Sequence, residues 1–422
     1  MHETSQNNLV KLISHLSIPY YYDDGTPLYF TAQGRAGAQF KAKKVADEFA
    51  DYCDWYYTTH PEAPDRSVDE FARDFVSNHT LITDDERLWA PQAVREVELW
   101  IGTSTKLASA KHLSYFITER NLYMKGGYDR IVDWTAQFLE RDPTMLRLNH
   151  LVETVEWNDD GREALAIGCK DLAGRMQRIE ADAIVVTTPL GTFHNKLISF
   201  DPPLPTDIQN GMSRFSYAAL GKVFFEFSDV FWSKDNDQFI YYPSPESEED
   251  GIYHSSFSTT SSNGSNSGSN ILAYPTVTIN CWIMTGSKEL CVQIAEPLTQ
   301  RIEAIEEQEE IYRFFEPLFK LIRTEPYKAL PRLVNIEMTR WSQDRLAGYG
   351  TYSAEKVGDD GSILSDALNN HKHSRLQFAG EHCTLVANGC VHGAFATGEK
   401  AAKNVLEIFG IPYDGGDLVS LK

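Results

Sequence analysis

The chain has 422 residues, of which 42% are hydrophobic and 12% aromatic, and its formal net charge is −21. That length exceeds one small core and predicts two domains or one interleaved pair. The acidic balance excludes a nucleic-acid footprint, which needs clustered basic residues, and no apolar run approaches a membrane span.

Six cysteines, Cys53, Cys169, Cys281, Cys291, Cys383 and Cys390, show neither Cys-x-x-Cys spacing nor a zinc pattern. They read as reduced thiols, with no metal site, and the cytoplasm is the expected compartment. A monomer or weak dimer is expected.

Along the chain, residues 1–40 contain no strand leading into Gly-x-Gly-x-x-Gly; Gly25, Gly34 and Gly37 sit in polar turns. Residues 40–120 read mainly as helices, with Val45, Phe49 and Cys53 at helical spacing and Ser67 to Glu70 as a capping box. Gly126 and Gly127 precede an amphipathic helix carrying Ile131, Trp134 and Phe138. Strands are expected at 145–148, 151–157 and 164–169, and Ala183 to Thr187 reads as a buried central strand ending at Thr188-Pro189. The Ser/Gly/Asn-rich stretch 243–270 cannot bury enough apolar surface to offset its ordering entropy and reads as a disordered loop insert. Strands resume at 276–284 and 289–294, and a long amphipathic helix spans about 297–322, kinked or split by Pro317.

Near the C-terminus a short apolar strand from Leu376 runs through Phe378-Ala379 into Gly380-Glu381, and a helix rich in small residues opens at Gly389. Small residues at a helix mouth let backbone approach a flat ligand, and the positive end of the helix dipole favours an anion or electron-rich carbonyl there. This long ordered pattern resembles the C-terminal signature of the flavin-containing amine oxidases, most closely the fungal polyamine oxidase subgroup, which includes a steroid-binding relative. The resemblance covers nearly the whole chain, from His2 to about Leu406. It implies FAD as cofactor, with Glu381 and Gly380 at the ribityl–pyrophosphate part and the backbone at Cys390 and Val391 facing the ring. By the same alignment Val152 reaches the adenine, and Trp341 lies in the cofactor site. Relative to that family the first dinucleotide-binding unit is missing, so the chain is expected to be N-terminally truncated.

Lys222 is the leading catalytic candidate. It stands in an otherwise apolar strand, Ala219 to Phe227, where a lysine is costly unless it is paired or functional. The resemblance implies that it holds a water near flavin N5. Tyr352, in the run from Arg340 to Ser353, would form an aromatic wall for the amine, although this chain has Arg345 where the family has proline and carries one additional residue. Trp100 matches a substrate-side tryptophan; Thr103-Ser104-Thr105 stand where relatives carry a second one. His2 matches a pocket histidine.

The resemblance implies an α/β, two-domain FAD-linked amine oxidase fold with an α+β substrate domain. The flavin side would comprise 119–195 and 371–410, and the substrate side 1–118 and 196–370. The expected reaction is oxidation of a polyamine-like small amine to an imine, with O2 giving H2O2. The acidic charge is compatible with steering such a polycation. Two alternatives stand beside it: a non-catalytic binder of a steroid-like ligand, and an inactive truncated homologue.

Overall fold

A computed structural model gives the structure of residues 7–23, 25–37, 40–113, 121–142, 144–158, 163–245 and 270–413. His2 and residues 246–269 of the expected insert lie outside the described residues. The largest sheet has seven strands in the order Leu333–Met338, Leu220–Phe227, Glu289–Ala295, Thr276–Asn280, Gln238–Tyr241, Leu28–Thr31 and Gly34–Arg35. All neighbours in it are antiparallel except Gln238–Tyr241 with Leu28–Thr31.

Strict alternation along Leu220–Phe227 gives this sheet its two faces. Val223, Phe225 and Phe227 enter a core closed by the helix Gln308–Leu321, with Phe225 packed on Phe315 and Phe319 at ring centroids 5.1 and 4.7 Å apart. Phe224 packs on the opposite side, where the helices Ala42–Thr59 and Val68–Asn78 supply a second core. Lys222 shares its strand parity and therefore stands on the same side as Phe224.

A four-stranded sheet follows the order Met176–Ala181, Leu165–Lys170, Leu151–Glu156 and Ser199–Asp201. Beside it Ile184–Val186 pairs in parallel with Leu376–Phe378, and these segments share a core with Leu190, Ile208, Phe215 and Leu364.

Several local expectations are corrected. Ile184–Val186 is not a central strand: among the described residues it pairs only with Leu376–Phe378, and Val185 is 41% exposed. Residues 145–148 do not form a strand: a bend at Met145 and irregular backbone lead into a turn at Leu148. Helix 297–322 is broken after Glu303 and resumes at Gln308, whereas Pro317 sits inside the continuous second piece. Arg340 takes the carbonyls of Glu303 and Ile305, removing acceptors from the helical ladder at the break. One buried face of Gln308–Leu321 outweighs the local cost of the proline. Ser67 does cap its helix through Glu70 N–H, but the Glu70 carboxylate pairs with Arg66; the complete capping box is Thr83 with Glu86. The strand from Thr276 stops at Asn280, whose side chain caps the turn Cys281–Thr285. Met176–Ala181 is a strand that the sequence pattern missed.

Candidate functional site

The signature segment is fastened by one threonine. Ala379 N–H reaches the Val186 carbonyl at 3.0 Å, continuing the parallel ladder, and Gly380 then turns with φ of 151°. Thr397 from the final helix accepts Gly380 N–H at 3.0 Å and lies 2.9 Å from its carbonyl oxygen. That helix runs Val391–Ile408, two residues later than Gly389; Cys390 is its N-cap and contributes no side-chain capping bond. The N-cap position thus offers the first-turn amides no side-chain acceptor.

Glu381 is tied to both flanking segments. Its carboxylate accepts Ser353 N–H at 3.0 Å, Ser353 Oγ–H at 2.6 Å and Gly389 N–H at 2.6 Å. Burial pushes this carboxyl above the usual range, and the Ser353 and Gly389 donors oppose that rise. Gly389 has φ of 67°, and a Cβ there would stand 3.1 Å from Tyr352 Cδ2, so glycine is required by both conformation and space.

Tyr352–Ala354 pairs with Ser216–Ala218, which leads directly into the strand of Lys222. The Tyr352 hydroxyl donates to the Trp100 carbonyl at 2.7 Å. Burial, helped by the nearby Cys390, Glu381 and Glu296, pushes the Tyr352 phenol well above its ordinary value, so it stays protonated as a donor. Lys222 is fixed through its backbone: its N–H donates to Thr339 Oγ1 at 3.0 Å, and its carbonyl accepts Thr339 N–H at 3.0 Å. Thr339 Oγ1 in turn donates to Glu303 at 2.6 Å, while the other Glu303 oxygen takes Ser342 N–H at 2.7 Å. Glu303 thereby sets the segment that carries Trp341.

Lys222, Trp341 and Tyr352 line one cleft of about 570 Å³, together with Pro189, Tyr217, Leu220 and Asp344. Among the described residues the Lys222 ammonium makes no hydrogen bond or ion pair. Trp341 is 48% exposed at the cleft. Trp100 is 40% exposed; the structure ties this residue to the cleft through its main-chain carbonyl. Val152 lies apart from the cleft, packed against the core shared by Val186 and Leu376. Cys390 and Val391 open the final helix next to Gly389. Cys390 and Cys383 are free thiols pushed upward by burial, Cys390 to about 11.

Ser353, Thr339 and Glu303 were not singled out from sequence. Ser353 alone carried a signal, its place directly after Tyr352; the buried Glu303 looks like any helical glutamate.

These groups fit FAD. The helix mouth beside Gly389, whose N-cap supplies no side-chain bond, can receive an electron-rich carbonyl edge, the cleft walls are flat and aromatic, and Lys222 is a cation at the cleft with no ion pair among the described residues. Glu381, Gly380 and the backbone at Cys390 and Val391 are the groups that would hold it.

Comparisons with known proteins agree. The corticosteroid-binding protein of Candida albicans is 26% identical over 405 residues, covering 92% of this chain and 78% of that protein. Lysine-specific histone demethylase 1 homolog 2 of Arabidopsis thaliana is 27% identical over 289 residues; the alignment takes in 68% of this chain but only 33% of that longer protein. A solved structure of putrescine oxidase bound to putrescine superposes with a TM-score of 0.66 at 15% identity, covering 96% of this chain and 87% of the other, and shows that the fold is that of the FAD-linked amine oxidases. No helix among the described residues is long and apolar enough to cross a membrane. The family described as flavin containing amine oxidoreductase matches residues 4–406, and the chain belongs to it, with FAD as its cofactor.

Proposed function

We propose that the chain oxidises a small polyamine-like amine at the carbon beside its nitrogen, giving an imine that water hydrolyses, with O2 as electron acceptor and H2O2 as product. The observation that carries this reading is the convergence of Lys222, Trp341 and Tyr352 on one cleft whose floor strand also holds Glu381 through Ser353. Bound FAD supplies the two-electron acceptor, so the protein needs no nucleophile of its own. Trp341 and Tyr352 orient the amine, and the apolar side chains of Leu220 and Leu346 exclude water around it. Asp344, also at the cleft, favours a cationic substrate, as does the net charge of −21. Lys222 holds a water at the cleft and assists the half of the cycle that consumes O2. The name of the putrescine oxidase neighbour supports a di- or polyamine.

We assign 119–195 and 371–410 to the flavin side and 1–118 with 196–370 to the substrate side. The seven-stranded sheet, drawn wholly from the second set of segments, supports that division, while Ser199–Asp201 and Tyr20–Asp23 of the same set pair with strands of the first. Ile208, Phe215 and Leu364 share a core with Val155 and Leu376, so the helices Thr206–Ser213 and Gly361–Asn370 pack on segments that we assign to the flavin side.

The test is to load the purified chain with FAD, add putrescine, spermidine or spermine without oxygen, and follow loss of the flavin absorbance; admitting O2 should restore it and release H2O2. A flavin that no amine reduces would sink the reading. The Candida relative favours a second reading, binding of a steroid-like ligand in the same cleft. Saturable binding of labelled corticosterone, with no amine-driven reduction, would select it.

A further inference from the structure

Arg95, Glu98 and Thr105 take no part in the roles assigned above. Glu98 opens the short helix Glu98–Ile101, and Gly102, with φ of 73°, ends it in the left-handed conformation that glycine favours. Gly102 N–H reaches back to the Glu98 carbonyl at 2.9 Å. Thr105 then returns to the start of the helix. Its N–H donates to Glu98 Oε1 at 3.1 Å, and its hydroxyl donates to the same oxygen at 2.8 Å. Arg95 completes the contact, with Nε–H 3.1 Å from Oε1 and Nη2–H 3.4 Å from Oε2. All three residues are buried. Residues 98–105 thus form an arch whose base is closed by a buried ion pair and a threonine hydroxyl.

The crown of this arch meets the strands of the cleft. The Trp100 carbonyl accepts the Tyr352 hydroxyl at 2.7 Å. Two residues on, the Gly102 carbonyl accepts Ala219 N–H at 3.2 Å, just ahead of the strand of Lys222, and Glu296 N–H at 3.3 Å, just past Glu289–Ala295. A Cβ on Gly102 would stand 3.1 Å from Leu220 N and 3.2 Å from the Tyr352 hydroxyl oxygen, so crown and strands are in close contact. The base is anchored separately, because the Thr105 carbonyl accepts Asp69 N–H at 3.0 Å in the first turn of Val68–Asn78. A buried ion pair adds little stability over apolar side chains of the same volume. What this one adds is a fixed place for two carbonyls, one of which takes the Tyr352 hydroxyl and so gives that ring one orientation.

We propose that Thr105, acting with Glu98, is a positioning residue for amine oxidation: it closes the arch 98–105, whose Trp100 carbonyl holds the Tyr352 hydroxyl and thereby sets the ring that orients the amine. The inference rests on the role given to Tyr352 under the proposed function.

The experiment compares wild type, Thr105→Val, Thr105→Ser, Tyr352→Phe and the double variant Thr105→Val with Tyr352→Phe, each loaded with FAD. Thr105→Val keeps the shape and the backbone bond but loses the hydroxyl; Thr105→Ser keeps the hydroxyl. Flavin reduction at saturating amine should slow by about tenfold in Thr105→Val, within the range that misplacement of a positioning group costs. Thr105→Ser should restore it, Tyr352→Phe should slow it similarly, and the double variant should be no slower than Tyr352→Phe. Reoxidation by O2 after reduction with dithionite should be the same throughout. Equal slowing of both halves, or additive slowing in the double variant, would overturn the proposal. If Thr105→Val does not fold, Tyr352→Phe carries the test, and unchanged amine reduction in it would overturn the proposal. Hydrogen exchange of the chain without FAD gives a second readout. The amides of Thr105 and Ala219 should both exchange about tenfold faster in Thr105→Val, as expected for loss of a bond to a buried charge. A change confined to residues 103–105 would overturn the coupling. If no amine reduces the wild-type flavin, the proposed function fails by itself, and the exchange data alone decide whether Thr105 sets the crown.

Discussion

Ser353 donates to Glu381 through both its backbone N–H and its hydroxyl, at 3.0 and 2.6 Å. The next donor to the same carboxylate is Gly389 N–H. One carboxylate thus clamps two segments that are far apart in sequence, the strand behind the cleft and the mouth of the final helix.

Removing one jaw of that clamp tests it. Ser353→Ala deletes a hydrogen bond to a buried carboxylate, which typically costs about 1.5–3 kcal/mol. The variant should unfold at lower urea and retain FAD less well through gel filtration. Unchanged FAD retention with the expected loss of stability would mean that the clamp serves the fold alone.

Lys222→Met separates chemistry from packing. Nothing among the described residues pairs with the ammonium, so its removal should leave stability unchanged or slightly raised. FAD should still bind and amines should still reduce it. Reoxidation by O2 should slow by about 10²-fold, the lower end of what a positioned proton-handling group supplies. Stopped-flow absorbance resolves the two halves; slowed reduction with normal reoxidation would assign Lys222 to the amine instead.

The signature Gly380-Glu381 and the apolar alternation around Lys222 were legible because both are local patterns: a turn that needs glycine, and a strand of period two. Domain-scale pairing was legible only through resemblance. The exposed edge of Ile184–Val186 could not be read, since a β-branched run looks the same whether one or two strands flank it. Glu303 was invisible for a related reason. Its role depends on partners at Thr339 and Ser342, brought to it only by tertiary packing. The break at residues 304–307 goes with the Arg340 bonds to the Glu303 and Ile305 carbonyls, which no propensity encodes.

Two glycines near the helix mouth should respond oppositely to alanine. Gly389 has φ of 67° and a Tyr352 ring carbon 3.1 Å from its would-be Cβ. Gly389→Ala should cost about 1–2 kcal/mol and disturb the flavin spectrum. Gly398, inside the final helix, has nothing within 4 Å of its would-be Cβ. Gly398→Ala should stabilise by about 0.5–1 kcal/mol with the spectrum unchanged. Equal effects in urea unfolding would show that helix propensity, not the approach to Tyr352, governs this region.

His382 gives the site an acid limit. It is 3% exposed, one residue past Glu381, with its ring under Gly380 and 6.1 Å from Phe193. Burial, and secondarily the charge at His194, lowers its pKa from 6.5 to about 4. The unfolded chain therefore takes up this proton first as pH falls. The stability from neutral His382 is fully present above 6.5 and is lost on the way down to about 4, at about 1.4 kcal/mol per pH unit. Glu355, whose carboxyl is pushed up from 4.5 to about 7 by burial and then by Asp359, has the opposite sign: its contribution is full below 4.5 and lost as pH rises to about 7. Over the shared interval the two slopes oppose each other, so wild type hides both. His382→Leu should uncover a stability that falls with rising pH, and Glu355→Gln one that falls with falling pH. Urea unfolding of the two variants across that interval checks this directly. Parallel profiles would show that neither group sets the pH dependence of the segment around Glu381.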